Sequence, residues 1–527
     1  MSEIEVVVFL LAVVALLAAV GRRSHVPHPI VLVLGGLGLG FVPGLPAPQI
    51  DPDVVLFVFL PPLVYFAAFS SSAYELRDNA APIGLLAIGL VMVTVVAVAA
   101  VVHFAVGLGW APAFVLGAVL GPTDPVSASA VIRRLGAPGR MTTILEGESL
   151  VNDGTGLTAY TIALGAVGTA GVALGSAVLQ FVGVALGGIA LGLVAGWLFG
   201  RLRRLADDPS IDVTLSLMTP YVAYIPAQRL GLSGVLAVVA AGLWIGNQSL
   251  GLAGPESRLR TLTFWQALNF LLNSVLFLLI GLQLTNIVQG IEGAQVVTLA
   301  WEVALIAGVV VGVRLLWMFA LPGAVALIAP FRDDFSPEVN HRERLAVGWS
   351  AMRGGVSLAA ALAIPVVAQS GARFPQRELV IFLAYAVVIV TLVIPGLTLA
   401  PLMGALGLSQ GEARRRADAE ARARITHAAL ERLEEMARDQ EPPDEVVDRL
   451  RERYEARLDR LEGRLDEDHS RVDSQLQAAR LLKAMLETER DMLRRLERER
   501  AYPADLLQNI QHEIDLDESR VRARARA

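Results

Sequence analysis

The stretch from Gly121 to Gly156, GPTDPVSASAVIRRLGAPGRMTTILEGESLVNDGTG, holds four carboxylates and an amide between strongly apolar segments. The carboxylates are Asp124, Glu146, Glu148 and Asp153; the amide is Asn152. Ionisable groups inside a hydrophobic region are expensive and mark a functional site by default. On a helix, residues four apart share a face, so Glu148 falls beside Asn152 and Ser149 beside Asp153. Glu146, seven before Asp153, lies on nearly the same side. Asp124 sits in a Gly-Pro-Thr-Asp-Pro interruption of the preceding apolar run and can approach the same point, with Thr123 next to it. Carboxylates, an amide and the hydroxyls of Thr123 and Ser149 are the oxygen ligands that hard cations take.

The segments around this stretch read as membrane spans. A bilayer core needs roughly 20 apolar residues per helix. Such runs occur about 13 times, near 4–20, 27–43, 53–70, 81–107, 111–133, 141–168, 171–199, 211–228, 232–246, 262–288, 295–328, 344–369 and 377–405. The first run follows acids (Glu3, Glu5) and precedes Arg22 and Arg23, so it reads as a retained span and not as a cleaved leader. Arginine tests the count independently. The odd-to-even loops carry Arg22, Arg23, Arg77, Arg133, Arg134, Arg140, Arg201, Arg203, Arg204, Arg258, Arg260, Arg332, Arg342 and Arg344, whereas the even-to-odd loops carry only Arg229, Arg373 and Arg377. Positive-inside topology then puts the N-terminus outside and the C-terminal tail in the cytoplasm, in a plasma (inner) membrane.

Composition breaks near Gly411. Residues 412–527 hold 29 Asp/Glu and 25 Lys/Arg, more than the 21 and 19 in the 411 residues before them. The division is a membrane domain, 1–410, and a charged helical tail, 411–527. In the tail, Val447, Leu450, Tyr454, Leu458, Leu461 and Leu465 recur at helical spacing after Pro442-Pro443, which suits a coiled coil or helical hairpin. With no cysteine in the chain, disulfides, thiolate metal sites and a cysteine nucleophile are excluded. Ser149 sits in Gly-Glu-Ser-Leu-Val, without the second glycine of a hydrolase elbow, and no enzyme motif stands in a fitting context.

Two spans are interrupted by polar, helix-breaking residues, at 121–125 and at Arg353-Gly354-Gly355. Broken helices survive in a membrane only where the freed backbone faces protein or water, and a pair of them points to a transporter site. A lone carboxylate there is stable either protonated or beside a cation, so proton and cation compete for Asp153. Asn152 contributes a dipole without altering the charge carried. Arg353, inside a span, needs a partner, and Glu148 is nearest in character; the pair reads as a fastening between helices. Asp124 is read either as a ligand or as a balance for half-helix N-termini. Arg314 pairs with Glu302 or serves packing, His103 is an interfacial or packed residue, and Glu146 is left without a role.

These residues carry a family resemblance. GPTDPVSASAV (121–131) followed by LEGESLVNDGTG (145–156) resembles the paired signature of the monovalent cation:proton antiporters, in the sodium/proton exchanger branch. FLPPLVYFAAF (59–69), LSGVLAVVAAGLWIGN (232–247), LNSVLFLLIGLQL (272–284) and WSAMRGGVSLAAALAIP (349–365) support it across residues 1–410. The resemblance implies an all-α fold of 13 helices with inverted repeats, two unwound helices crossing near mid-membrane, and a homodimer whose core moves as an elevator. It also implies Asp153 as the ion- and proton-binding carboxylate, with Asp124, Asn152, Ser149 and Thr123 around it, and Glu148–Arg353 as a structural pair. The Asn-Asp pair is similar to the electroneutral branch, with one cation per proton. Phe66 departs from the relatives that carry an acid at this place in the third span, which bears on the ligand shell. The resulting expectation is a transporter, not an enzyme, without cofactor or nucleic-acid partner, moving Na+ or Li+, with K+ a further candidate, against H+. A cation-selective channel using the same carboxylates is the competing class.

Overall fold

Backbone N–H and C=O groups in a bilayer must be satisfied within the chain, so apolar runs of this length are driven to helix. The computed structural model describes residues 3–23, 26–42, 55–137, 139–168, 174–205, 208–252, 254–289, 296–328, 340–350, 352–368, 371, 373–408, 411–440, 443–462 and a few single residues beyond. Two compact units divide the chain, Met1–Gln410 and Gly411–Ala527.

In the first unit every expected apolar run overlaps a helix. These are α1 (Glu3–Arg23), α2 (His28–Gly40), α3 (Leu60–Ser70), α4 (Ala80–Val106), α5 (Trp110–Leu120), α6 (Val126–Arg134), α7 (Gly139–Gly165) and α8 (Leu174–Arg204). There follow α9 (Pro209–Arg229), α10 (Gly234–Leu252), α11 (Pro255–Gln289), α12 (Val296–Ile328), α13 (His341–Trp349), α14 (Gly355–Leu362) and α15 (Arg377–Ala405). The interruptions expected at 121–125 and 353–355 separate α5 from α6 and α13 from α14. Local chemistry explains other boundaries. Pro61 and Pro62 lie where the π-helical turn Val55–Phe59 passes into α3, the kind of irregularity that a missing N–H imposes on a helix. Asp208 caps α9 by accepting from Ser210 N at 2.6 Å and Ile211 N at 3.3 Å, and these backbone bonds hold its carboxyl below the usual range. Gly231, at φ +70°, makes the left-handed turn that separates α9 from α10.

Two apolar cores hold the helices together, and α11 contributes to both. One apolar core joins α4, α5, α12, α14 and α15 through Val95, Leu116, Val310, Leu358 and Val388. The second joins α3, α9, α10 and α11 through Tyr65, Tyr224, Val238 and Trp265. Phe66 lies against this second core, stacked on Trp265 with ring centroids 6.2 Å apart. Val178, Leu186, Val194 and Trp197 of α8 remain exposed, as suits a surface against lipid.

One buried polar network binds helices around the second core. Arg203, counted above with the loop arginines, is instead buried at the end of α8. Its Nε donates to Asp212 Oδ1 at 2.7 Å and its Nη2 to Oδ2 at 3.0 Å. Thr261 Oγ1 of α11 donates to the same carboxylate at 3.0 Å. Beside it, Trp265 Nε1 donates to Ser216 Oγ at 2.9 Å. Three helices thus meet on Asp212, which carries no exposure at all.

The second unit contains α16 (Gly411–Gln440) and α17 (Asp444–Glu462). Arg451 Nε donates to Glu434 Oε1 at 2.8 Å, tying the two into a helical hairpin. That bond pulls the Glu434 carboxyl below its ordinary value. Val447 is buried, while Leu465 of the expected stripe lies outside the described residues.

Breaking a buried ion pair by removing one partner typically costs about 3–5 kcal/mol, because the other charge stays buried. Asp212→Ala should therefore lower the thermal midpoint of the detergent-solubilised protein sharply. The double change Arg203→Met with Asp212→Leu should recover most of the loss.

Candidate functional site

Between α5 and α6 the chain from Gly121 to Pro125 is non-helical, and two prolines in it carry no N–H. Between α13 and α14, Met352, Arg353 and Gly354 are again non-helical. The two openings bond to each other. Asp124 N donates to Met352 O at 2.7 Å, and Arg353 Nε donates to Leu120 O at 3.1 Å. Leu120 O is one of the carbonyls that the end of α5 leaves without an intrahelical partner. Asp124 Oδ1 accepts from the N–H of Val126, the first residue of α6, at 2.9 Å. Contact at the crossing is close: a Cβ placed on Gly354 would stand 1.9 Å from Asp124 Oδ2, and one on Gly156 of α7 would stand 2.2 Å from Pro122 Cγ. Only glycine fits either position without movement of the crossing.

α7 brings the remaining groups. Asn152, fully buried, donates from Nδ2 to Thr123 Oγ1 at 2.9 Å and to Thr123 O at 3.2 Å. Thr123 Oγ1 in turn donates to Glu148 Oε1 at 3.0 Å. Thr123 is thus the hinge between the broken helix and α7. Asn152 Oδ1 is buried and has no hydrogen-bond partner among the described residues. That free acceptor suits a water or a cation, since buried polar atoms are normally paired.

Asp153 and Ser149 occupy the neighbouring face of α7 and are half-buried, as is Asp124. The two carboxylates lie within electrostatic reach of each other. Among the described residues, neither makes an ion pair. A pair of close carboxylates without a protein cation leaves room for one exchangeable positive charge. The site therefore assembles Thr123, Asp124, Asn152 and Asp153, with Ser149 one turn before Asp153.

Glu148 is paired differently from the expectation. Its carboxylate is held by the guanidinium of Arg314 on α12, with Arg314 Nη2 to Oε2 at 2.7 Å and Nη1 on Oε1. Both side chains are about 1% exposed. Arg314 Nη2 also donates to Val347 O on α13 at 3.4 Å. Arg353, the expected partner, donates its Nε to the α5 carbonyl and lies within electrostatic reach of both Glu148 and Arg314. Arg314 reaches Glu148 with both terminal guanidinium nitrogens, while Arg353 stands in the crossing of the two breaks. A pair between Arg314 and Glu302 is also ruled out, since twelve residues along one helix separate them by roughly 18 Å. Glu146 is bound by Arg133 at the end of α6. His103 is packed, stacked on Trp110 at 4.1 Å with Nδ1 2.7 Å from Leu108 O.

Sequence reasoning missed Asp212 and the partnerships of Arg203 and Arg314. An aspartate one turn inside a span, nine residues after an arginine, was the available signal for the first.

Residues 9–405 match the family described as sodium/hydrogen exchanger, transmembrane. The uncharacterized Na(+)/H(+) exchanger Rv2287 of Mycobacterium tuberculosis is 36% identical over 460 residues, which cover 86% of this chain and 83% of that protein. The Na(+)/H(+) antiporter ApNhaP of Aphanothece halophytica is 34% identical over 412 residues, 78% of this chain and 75% of that protein. Among solved structures, the sodium proton antiporter MjNhaP1 from Methanocaldococcus jannaschii has the same fold, with a TM-score of 0.61 at 17% identity. That likeness covers 78% of this chain and 100% of MjNhaP1.

Double-mutant cycles on thermal unfolding should show where Glu148 is coupled. The Glu148–Arg314 cycle is expected to give an interaction of about 1–3 kcal/mol. The Glu148–Arg353 cycle should fall well below it; the reverse order would contradict the pairing described.

Proposed function

Because the chain belongs to the sodium/hydrogen exchanger family, we propose that it exchanges one monovalent cation, Na+ or Li+ with K+ a further candidate, for one H+ at Asp153. The observation that carries this reading is the pair of half-buried carboxylates, Asp153 and Asp124, without an ion-pair partner among the described residues at the crossing of two broken helices. A lone carboxylate in a low-dielectric site is stabilised by a proton or by a cation, and each excludes the other. Na+ takes oxygen ligands, which Asp153, Asp124, Ser149 and Thr123 can supply with water completing the shell. Asn152 has its amide spent on Thr123 and carries no charge, so the loaded and the protonated site bear the same net charge. With Asp153 alone taking up and releasing charge and Asp124 keeping its own throughout the cycle, exchange is one for one, driven by concentration gradients with no direct pull from voltage.

Three further parts of the reading rest on the arginine distribution and the family likeness. The arginine-rich end of the bundle, with the tail, faces the cytoplasm. The working unit is a homodimer. The bundle that holds Asp153 moves against the rest to expose the site alternately.

Purified protein in liposomes with an internal pH dye tests the proposal. Adding Na+ or Li+ should move protons, clamping the voltage to zero should leave the rate unchanged, and Asp153→Asn should reduce the signal to the leak rate. A flux that follows voltage and needs no proton counterflow would instead identify a channel.

A further inference from the structure

Glu146 lies outside the site just described, yet it shares a helix face with it. Thr143, Glu146, Ser149 and Asp153 follow one another on α7 at spacings of three, three and four, and all four are half-buried, whereas Leu145, Glu148 and Asn152 between them are buried. The spacing places the four on one face. Other polar elements flank that face. Glu75 of the short helix Ala73–Asp78 accepts from Thr143 Oγ1 at 2.6 Å, Arg133 of α6 binds Glu146, and Asp124 lies within electrostatic reach of Asp153. Arg140 is engaged nearby with Asn79, its Nε 3.1 Å from Oδ1. A polar strip thus runs about 15 Å along α7, from the arginine-rich end to the exchanging carboxylate.

The ion pairs on α7 differ in kind. Glu148–Arg314 is sealed from solvent. Arg133–Glu146 is open, with side chains 60% and 28% exposed. Exposed pairs contribute roughly 0–1 kcal/mol and open readily, since water replaces either partner. A cation arriving from solvent can therefore take the place of the Arg133 guanidinium on Glu146.

We propose that Glu146 is the access carboxylate for the transported monovalent cation, and that Arg133 competes with that cation for it. The proposal rests on the reading of Asp153 as the exchanging group. Glu146 draws the cation to the start of the strip, and the Ser149 hydroxyl lies between it and Asp153. With Arg133 seated, the mouth carries a neutral pair; with Arg133 displaced, a cation holds the carboxylate. Glu146 acts on the rate of loading from one side and takes no part in holding the proton.

The test uses full-length protein in liposomes, Na+ as the probe, and initial rates of proton movement with Na+ varied on each side in turn. On the arginine-rich side, Glu146→Gln should raise KM for Na+ roughly two- to fivefold and Arg133→Gln should lower it by a similar factor, with kcat unchanged. Arg133→Lys, which keeps the charge, should stay at the wild-type KM. The charge-swapped double change, Arg133→Glu with Glu146→Arg, preserves an ion pair but puts the carboxylate on the wrong helix, and its KM should remain raised. A mere staple between α6 and α7 predicts the opposite: both single changes shift KM in the same direction, and the swap restores it. Either of those results overturns the proposal. If the wild type shows no Na+-driven proton movement, or if Asp153→Asn retains it, the exchange reading itself falls and the access role with it. Exchange that is intact and lost in Asp153→Asn leaves the KM shifts to judge the access role alone.

Discussion

Two helices break against each other, and each break satisfies backbone groups that the other sets free. Asp124 N reaches Met352 O, and Arg353 Nε reaches Leu120 O. In water, exposed carbonyls and amides would find solvent; in a bilayer each orphan costs several kcal/mol. The crossing is therefore the condition for having non-helical chain at this depth at all. It also explains the two glycines packed against it, since a side chain at Gly354 or Gly156 would push the breaks apart.

What the crossing makes possible is a sorting of charges. Some carboxylates are neutralised by arginine and act as scaffold: Glu148 by Arg314 between α7 and α12, Asp212 by Arg203 between α8 and α9. A buried carboxylate already holding a guanidinium on both oxygens has little capacity to take up and release another cation. Asp153 and Asp124 have no such partner among the described residues, and there an exchangeable ion can reside. The division between carboxylates with and without an arginine is a division by partner, not by residue type.

α7 carries a paired carboxylate, Glu148, and one with no ion pair among the described residues, Asp153, five residues apart. Glu148 and Asn152 lie on its buried face, bound to Arg314 and Thr123; Ser149 and Asp153 lie about 100° around the helix, on the half-buried face. One helix thus fixes the distance between the Glu148 anchor and Asp153. Thr123 bonds to the buried face at two successive turns, donating to Glu148 while accepting from Asn152, so the broken helix is registered to α7 at the level of the site.

The apolar runs, the two interruptions and the i, i+4 pairs on α7 were all legible in the sequence, because each depends on chemistry within one stretch of chain: length against bilayer thickness, proline and glycine against helix, residue spacing against helical pitch. From these alone the all-helical membrane fold, the face of Asp153 and the nearness of Thr123 and Asp124 could be read. The partners of the arginines could not. Arg314 and Arg353 look alike in the chain, both being cations within apolar spans, yet one clamps Glu148 and the other bonds to a carbonyl of α5. Arg203 reads as a loop arginine and is buried on Asp212. Glu146 has no partner in its own helix and finds one across the turn, in Arg133. Those choices depend on which helices lie side by side, and many apolar faces of similar composition are equally able to pack. Sequence by itself determined which groups each helix presents and on which face; only the tertiary structure decided which of them meet.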